Sequence, residues 1–312
     1  MFQFIKNFFQ FFLYAILFYI VTIILFGEYN LKELNKNLNY RRGAYGHMFS
    51  RIQDINKADH LDVLVVGSSH AYRGFDPRIF NSQNINLFNL GSNIQTPVQT
   101  KFLLEKYLDR LKPSTVIFEV FPEVFKSDGI ESTLDIISND KIELNTFKMV
   151  LQINHLKVYN SFIFAYYRQF FGLDNNFVEE KEKDGDKYVK GGYVEKLITN
   201  RKEINLKVKP RNISFHKSQL KAFTKIVQIL KVKKIKLILV QAPVTSYYYN
   251  NIENKQEIDS LFSQYGLYYN FNGKLKLSDN LDFYDSNHLN QTGVEKFNKV
   301  FLNYYTQLNY EH

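Results

Sequence analysis

The strongest pattern in the chain is a run of apolar positions with almost no polar breaks. Residues 8–26, "FFQFFLYAILFYIVTIILF", are interrupted only by Gln10 and Thr22. A helix rises about 1.5 Å per residue, so roughly 20 such residues cross the hydrocarbon layer of a bilayer. Lys6 precedes the run and Gly27-Glu28 ends it. The run is longer than the apolar region of a cleaved signal peptide, and nothing like Ala-x-Ala follows it. It predicts an uncleaved transmembrane anchor over 8–27 after a short tail of residues 1–7, with the lipid bilayer as its partner.

Beyond the anchor the pattern changes twice. Residues 28–58 are polar and helix-prone and read as a membrane-proximal linker. From residue 59 to 312, short apolar runs rich in β-branched residues alternate with helical stripes. The runs at 63–66, 85–90, 115–120 and 235–240 read as buried parallel strands, with 267–271 as a fifth. "TPVQTKFLLEKYLDRL" puts Phe102, Leu103, Tyr107, Leu108 and Leu111 on one face, and "SQLKAFTKIVQILKVKK" does the same with Leu220, Phe223, Ile226, Val227 and Leu230. The last helix is expected to start at Thr292-Gly293-Val294-Glu295, a capping-box spacing, and to bury Phe297, Val300, Phe301 and Tyr304. Strands alternating with helices predict an α/β fold with a doubly wound parallel sheet.

One stretch, about 127–214, breaks this rhythm and reads as an insertion. Helices are expected around "TFKMVLQI" and "NSFIFAYYRQFF". The charged "EEKEKDGDKYVKGGYVEKL" that follows predicts a mobile, solvated loop at 179–190.

Charge and composition narrow the function classes. The net charge is +9, but the lysines are spread among carboxylates, which suits a solvated surface near anionic lipid more than a nucleic-acid site. There is no cysteine, so disulfides, thiolate nucleophiles and cysteine zinc sites are excluded. No His and carboxylate cluster has metal-site spacing, and neither metal nor cofactor is expected. Lys32, Lys36, Arg41 and Arg42 outnumber Lys6 across the anchor, a count that favours a cytoplasmic carboxyl domain. Large domains, however, cross membranes largely regardless of charge.

Ligands of an open parallel sheet gather at the carboxyl ends of its strands. Here those ends carry Gly67-Ser68-Ser69-His70, then Asn89-Leu90-Gly91-Ser92-Asn93, then Glu119 and Gln241. Just before the last helix stands "DFYDSNHLNQTG", with Asp285 and His288 three apart. A serine hydroxyl attacks only when a base takes its proton, and a carboxylate fixes that base. An Asp-x-x-His turn can supply both. His70 directly follows Ser69 and is expected to line or pack the pocket, not to act as the base.

The order Gly67-Ser68-Ser69, Gly91, Asp285-x-x-His288 resembles the SGNH/GDSL hydrolase superfamily. The nearest likeness is to membrane-anchored SGNH-like proteins of bacterial cell-envelope assembly, including D-alanyl transfer proteins of teichoic-acid biosynthesis. The resemblance covers about 60–125 and 235–305. It implies a three-layer, flavodoxin-like sheet, with Ser69 as nucleophile, His288 as base and Asp285 as its orienting partner. It implies Gly91 and the Ser69 N–H as oxyanion donors, with Ser68 and Glu119 beside the pocket.

The resemblance further implies an extracytoplasmic esterase or O-acyltransferase on acyl groups of an envelope glycan, with room for a membrane-bound O-acyltransferase as partner. The superfamily's third block ends in an asparagine; this chain has Glu119 at that strand end, and Asn93 is a candidate substitute. That departure leaves open an inactive glycan-binding or assembly module. A membrane-associated lipase is a further alternative.

Overall fold

A computed structural model describes residues 1–29, 36–197 and 208–310. Residues 30–35 of the predicted linker and 198–207 of the predicted insertion lie outside the described residues. From the amino end, helix α1 (Phe2–Tyr29) is followed by α2 (Met48–Lys57), β1 (Val63–Val66), α3 (Ser69–Gly74), α4 (Pro77–Asn81) and β2 (Leu87–Asn89). Then come α5 (Pro97–Leu111), β3 (Thr115–Glu119), a 3-10 turn (Pro122–Lys126), α6 (Ile130–Asn139), α7 (Leu144–Ile153) and α8 (Leu156–Phe170). Strands β4 (Glu182–Lys183), β5 (Asp186–Val189) and β6 (Tyr193–Lys196) precede α9 (Lys217–Val232) and β7 (Lys236–Gln241). Helices α10 (Ser246–Asn250) and α11 (Lys255–Ser263), strand β8 (Leu267–Asn270) and α12 (Gln291–Tyr310) complete the chain.

Two compact units result: residues 1–42 with 133–178, and residues 43–132 with 179–312. In the first, α1 is long and apolar enough to cross a membrane. The helix already begins at Phe2, so residues 2–7 of the expected separate tail belong to it. Its carboxyl-terminal third packs on α8, where Tyr19 Oη donates to Asn160 Oδ1 at 2.6 Å and Arg168 pairs with Glu28 at 2.8 Å.

The second unit is α/β. Five parallel strands lie in the order β2-β1-β3-β7-β8, with Val65 opposite both Asn89 and Ile117. β1, β2 and β3 are buried at every position, because parallel strands covered on both sides have no polar face to show. Val63, Val65, Ile117, Ile238 and Val240 form one core cluster with Phe297 and Phe301 of α12. Phe118, next along β3, meets Phe223 of α9 at 5.7 Å between ring centroids. Strand order reverses between β1 and β3, and the crevice at such a reversal is where open α/β sheets bind ligands.

Three expectations are corrected. The helix α2, placed in the membrane-proximal linker by its polarity, belongs to the α/β unit. Its Arg51 is fully buried, donating to Gly192 O at 2.9 Å and Gly46 O at 2.8 Å. The charged stretch near 179–190 is not a mobile loop but part of an antiparallel ribbon, β4-β5-β6. Asp184 and Gly185 both have positive φ, 52° and 72°, which gives a two-residue turn matching the strand twist. Its Asp186 is paired, accepting from Arg73 at 2.6 and 3.0 Å and from Lys196 at 2.9 Å.

The ribbon also covers the edge of the main sheet, where Asn89 N donates to Gly191 O at 2.8 Å. A Cβ on Gly192 would stand 1.9 Å from Asn89 O, so only glycine permits that approach. Last, α12 is capped by Asn290, whose Oδ1 accepts from Gly293 N at 3.1 Å, and not by Thr292. Its core face follows suit: Tyr305 is buried, while Tyr304 is 39% exposed.

Candidate active site

The turn after β1 is built to present a serine. Ser68 takes extended backbone angles and caps α3, its Oγ accepting from His70 N at 3.3 Å. Ser69 is therefore the first residue of α3, and among the described residues its backbone N–H makes no hydrogen bond. The four leading N–H groups of any helix lack intrahelical partners, so this donor is left over by the geometry of the cap.

The Asp-x-x-His loop closes on itself just before α12. Tyr284 N donates to His288 O at 3.1 Å, and Asp285 Oδ1 accepts from the N–H groups of Asn287 and His288 at 2.9 and 2.7 Å. That locks the carboxylate against the imidazole: His288 Nδ1 lies 2.8 Å from Asp285 Oδ2. Burial pushes the Asp285 carboxyl upward, but the His288 ring and the two N–H groups outweigh it and hold it below the usual carboxylate range. An ionised carboxylate only accepts, so Nδ1 carries the hydrogen and Nε2 is left as acceptor. Nε2 stands 2.8 Å from Ser69 Oγ, so Ser69, His288 and Asp285 form one hydrogen-bonded chain across 219 residues of sequence.

His70 does not face the Ser69 hydroxyl. Its Nε2 donates to the Asn287 carbonyl at 2.9 Å, and its ring lies between Phe121 and His288, at 3.8 and 4.6 Å between centroids. Tyr284 stacks on His288 from 5.5 Å at an interplanar angle of 8°, and the Arg73 guanidinium lies over Tyr284 at 5.6 Å. The His288 ring therefore sits inside a column of stacked rings. Burial, and then the neighbouring His288, hold His70 well below the usual histidine range, which keeps it neutral.

Ser68 Oγ stands 3.3 Å from both His70 Nδ1 and Glu119 Oε2. Glu119, at the end of β3, is fully buried, and burial pushes its carboxyl up to about 8. Ser68 Oγ donates to Glu119 Oε2 and accepts from His70 N. Contacts thus run beneath the serine from Glu119 through Ser68 and His70 to the Asn287 carbonyl, in the loop that carries His288.

Gly91 does not have the free donor that the resemblance implies. Its N–H is taken by Asn89 Oδ1 at 3.1 Å, while Asn89 Nδ2 holds Ala71 O at 2.6 Å and Phe75 O at 3.2 Å at the end of α3. The glycine is needed for space: a Cβ there would meet Ala71 Cβ at 2.8 Å and Ser68 O at 2.9 Å. Asn93 lines a cleft of about 690 Å³ with Ser69, His288, Phe121, Tyr248 and Arg211. Among the described residues its side chain makes no hydrogen bond, so it has donors to offer. No group of three or more His, Asp or Glu side chains among the described residues is placed to hold a metal ion.

Sequence reading named Asn89 only as part of a strand-end block and gave no role to it, to Tyr284 or to Arg73. The only signal for them was proximity to the blocks already noted. Comparison with protein-family models gives no match to the chain, and comparison with curated proteins gives none either.

Proposed function

We propose that the protein is a membrane-anchored serine esterase or O-acyltransferase of the SGNH type. The observation that carries this reading is the Ser69–His288–Asp285 chain at the crevice where strand order reverses. Helices α9 and α12, which meet residues from alternate positions of the sheet, are what a three-layer SGNH arrangement requires. In this reading His288 Nε2 takes the Ser69 proton as Oγ attacks an acyl ester carbonyl. The tetrahedral oxyanion is met by the Ser69 N–H and the Asn93 amide, two donors with no other partner among the described residues. Collapse expels the alcohol, which takes its proton from His288, and leaves an acyl-serine. Water or an acceptor hydroxyl then gives its proton to His288 and attacks the acyl carbon; the acyl–Oγ bond breaks, and Ser69 Oγ takes that proton back from His288.

The resemblance to envelope-assembly proteins supplies the rest of the proposal: an extracytoplasmic domain, a glycan hydroxyl as acceptor, and a membrane-bound O-acyltransferase as donor partner. A fluorophosphonate probe tests the core of it. The wild type takes the label and Ser69→Ala does not. Failure of both to label would favour the second reading, a glycan-binding or assembly module without turnover, for which Glu119 in place of the third-block asparagine speaks.

Asn93→Ala separates an oxyanion donor from a lining residue. Loss of one such donor costs about 10²-fold in kcat. KM is expected to change little, as shown by steady-state kinetics on a short acyl ester.

A further inference from the structure

The first unit carries an apolar surface that its own packing leaves uncovered. Helices α7 and α8 form an antiparallel hairpin joined at Asn154-His155, with Phe147 and Phe162 in contact at 5.9 Å. Leu144, Phe147 and Leu151 recur at helical spacing along α7 and are 71%, 44% and 49% exposed. Leu156, Tyr166 and Phe170 do the same along α8, at 55%, 55% and 71%. An exposed apolar stripe on each of two neighbouring helices is more than the scattered surface hydrophobes of a soluble protein.

The position of the hairpin against α1 says what covers it. Asn160, in the second turn of α8, accepts from Tyr19, inside the apolar run of α1. A Cβ on Gly27 would stand 2.2 Å from the Phe164 ring, so α8 runs alongside α1 in close contact. From Tyr19 to Phe26, where the apolar run ends, is seven residues, or about 10 Å of helix. Amphipathic helices at a membrane surface bury their apolar face about 5–10 Å below the headgroup boundary. Asn160, in the second turn of α8, falls at that depth. Lys148, exposed between Phe147 and Leu151, has a stem long enough to return its ammonium to the lipid phosphates.

We propose that the α7–α8 hairpin is a second membrane-embedded element, its apolar stripes immersed in the lipid interface beside α1. The proposal rests on α1 spanning the bilayer. It makes the anchor a three-helix foot instead of a single tether, and it fixes the rotation of α1 about its own axis.

The chain contains no tryptophan, so single-tryptophan variants of the full-length protein report from one site each. In vesicles of phosphatidylcholine and phosphatidylglycerol, Phe147→Trp and Leu151→Trp are expected to lose emission when the acyl chains carry bromine. Leu13→Trp, in the exposed part of α1, is expected to lose it too, each variant being referred to unbrominated vesicles. Full emission from the two hairpin variants alongside quenched Leu13→Trp would overturn the proposal and leave the anchor standing. Full emission from all three would overturn both. Shielding of the hairpin tryptophans from both bromolipid and aqueous iodide would mean that protein, not lipid, covers the stripes, and would also overturn it.

Discussion

Ser69→Ala is expected to lower the turnover of a short acyl ester by about 10⁴- to 10⁶-fold, to the level left by binding and oxyanion contacts alone. The hydroxyl is the only group in the chain of Ser69, His288 and Asp285 able to form the acyl bond, and alanine removes it without disturbing what positions it. The Ser68 cap, the start of α3 and the column of rings around His288 contain no Ser69 Oγ contact other than the 2.8 Å bond to His288. The variant should therefore melt with the wild type. His288→Ala should fall by a similar factor, and the double variant no further, because residues acting as a unit lose their effect together. Persistent turnover in pure Ser69→Ala would move the nucleophile elsewhere.

The second large effect concerns stability and pH. Burial raises the Glu119 carboxyl from 4.5 in an unfolded chain to about 8 in the folded one. A group raised in this way contributes stability that is fully present below the unfolded value and is lost as pH rises through the folded one. Between pH 4.5 and 8 the unfolded chain gives up a proton that the native state keeps, so stability falls with a slope near 1.4 kcal/mol per pH unit, about 5 kcal/mol in all. Glu119→Gln cannot ionise. Urea titrations at pH 5 and pH 9.5 should show the wild type losing most of that amount relative to the variant, through a shift of midpoint. Parallel pH dependence of the two proteins would mean that Glu119 is ionised in the native state.

How much of this was legible in the sequence varied with the range of the interaction. The strands were legible because β-branched runs between turn formers depend on local composition and burial alone. The meeting of Ser69 with His288 and Asp285 was legible for a similar reason: each partner is announced by a short block at an element boundary. The ribbon β4-β5-β6 was not, because the charge density of "EEKEKDGDK" outweighed the Asp184-Gly185 turn signal within it. Most of those charges are solvated as expected, but Arg73, 113 residues away, pairs Asp186 and ties the ribbon to α3.

The start of α12 was misplaced by a cap two residues early. Asn290 and Thr292 are both capping residues, and only the backbone angles choose between them. Gly91 was assigned a donor that Asn89 consumes, and nothing short of the loop's geometry shows where an N–H points. The stacking of Phe121, His70, His288 and Tyr284 depends on ring directions from three separate segments, which no spacing rule encodes.

Arg73 holds two things at once: the Asp186 carboxylate of the ribbon in both its oxygens, and the face of Tyr284, which lies on the base. The ribbon is thus not a detachable ornament on the sheet. Trimming it to obtain a smaller α/β domain would release Arg73, free Tyr284 to turn, and leave His288 supported on one side only. A minimal version of this protein has to keep residues 179–197, although nothing in them touches the serine.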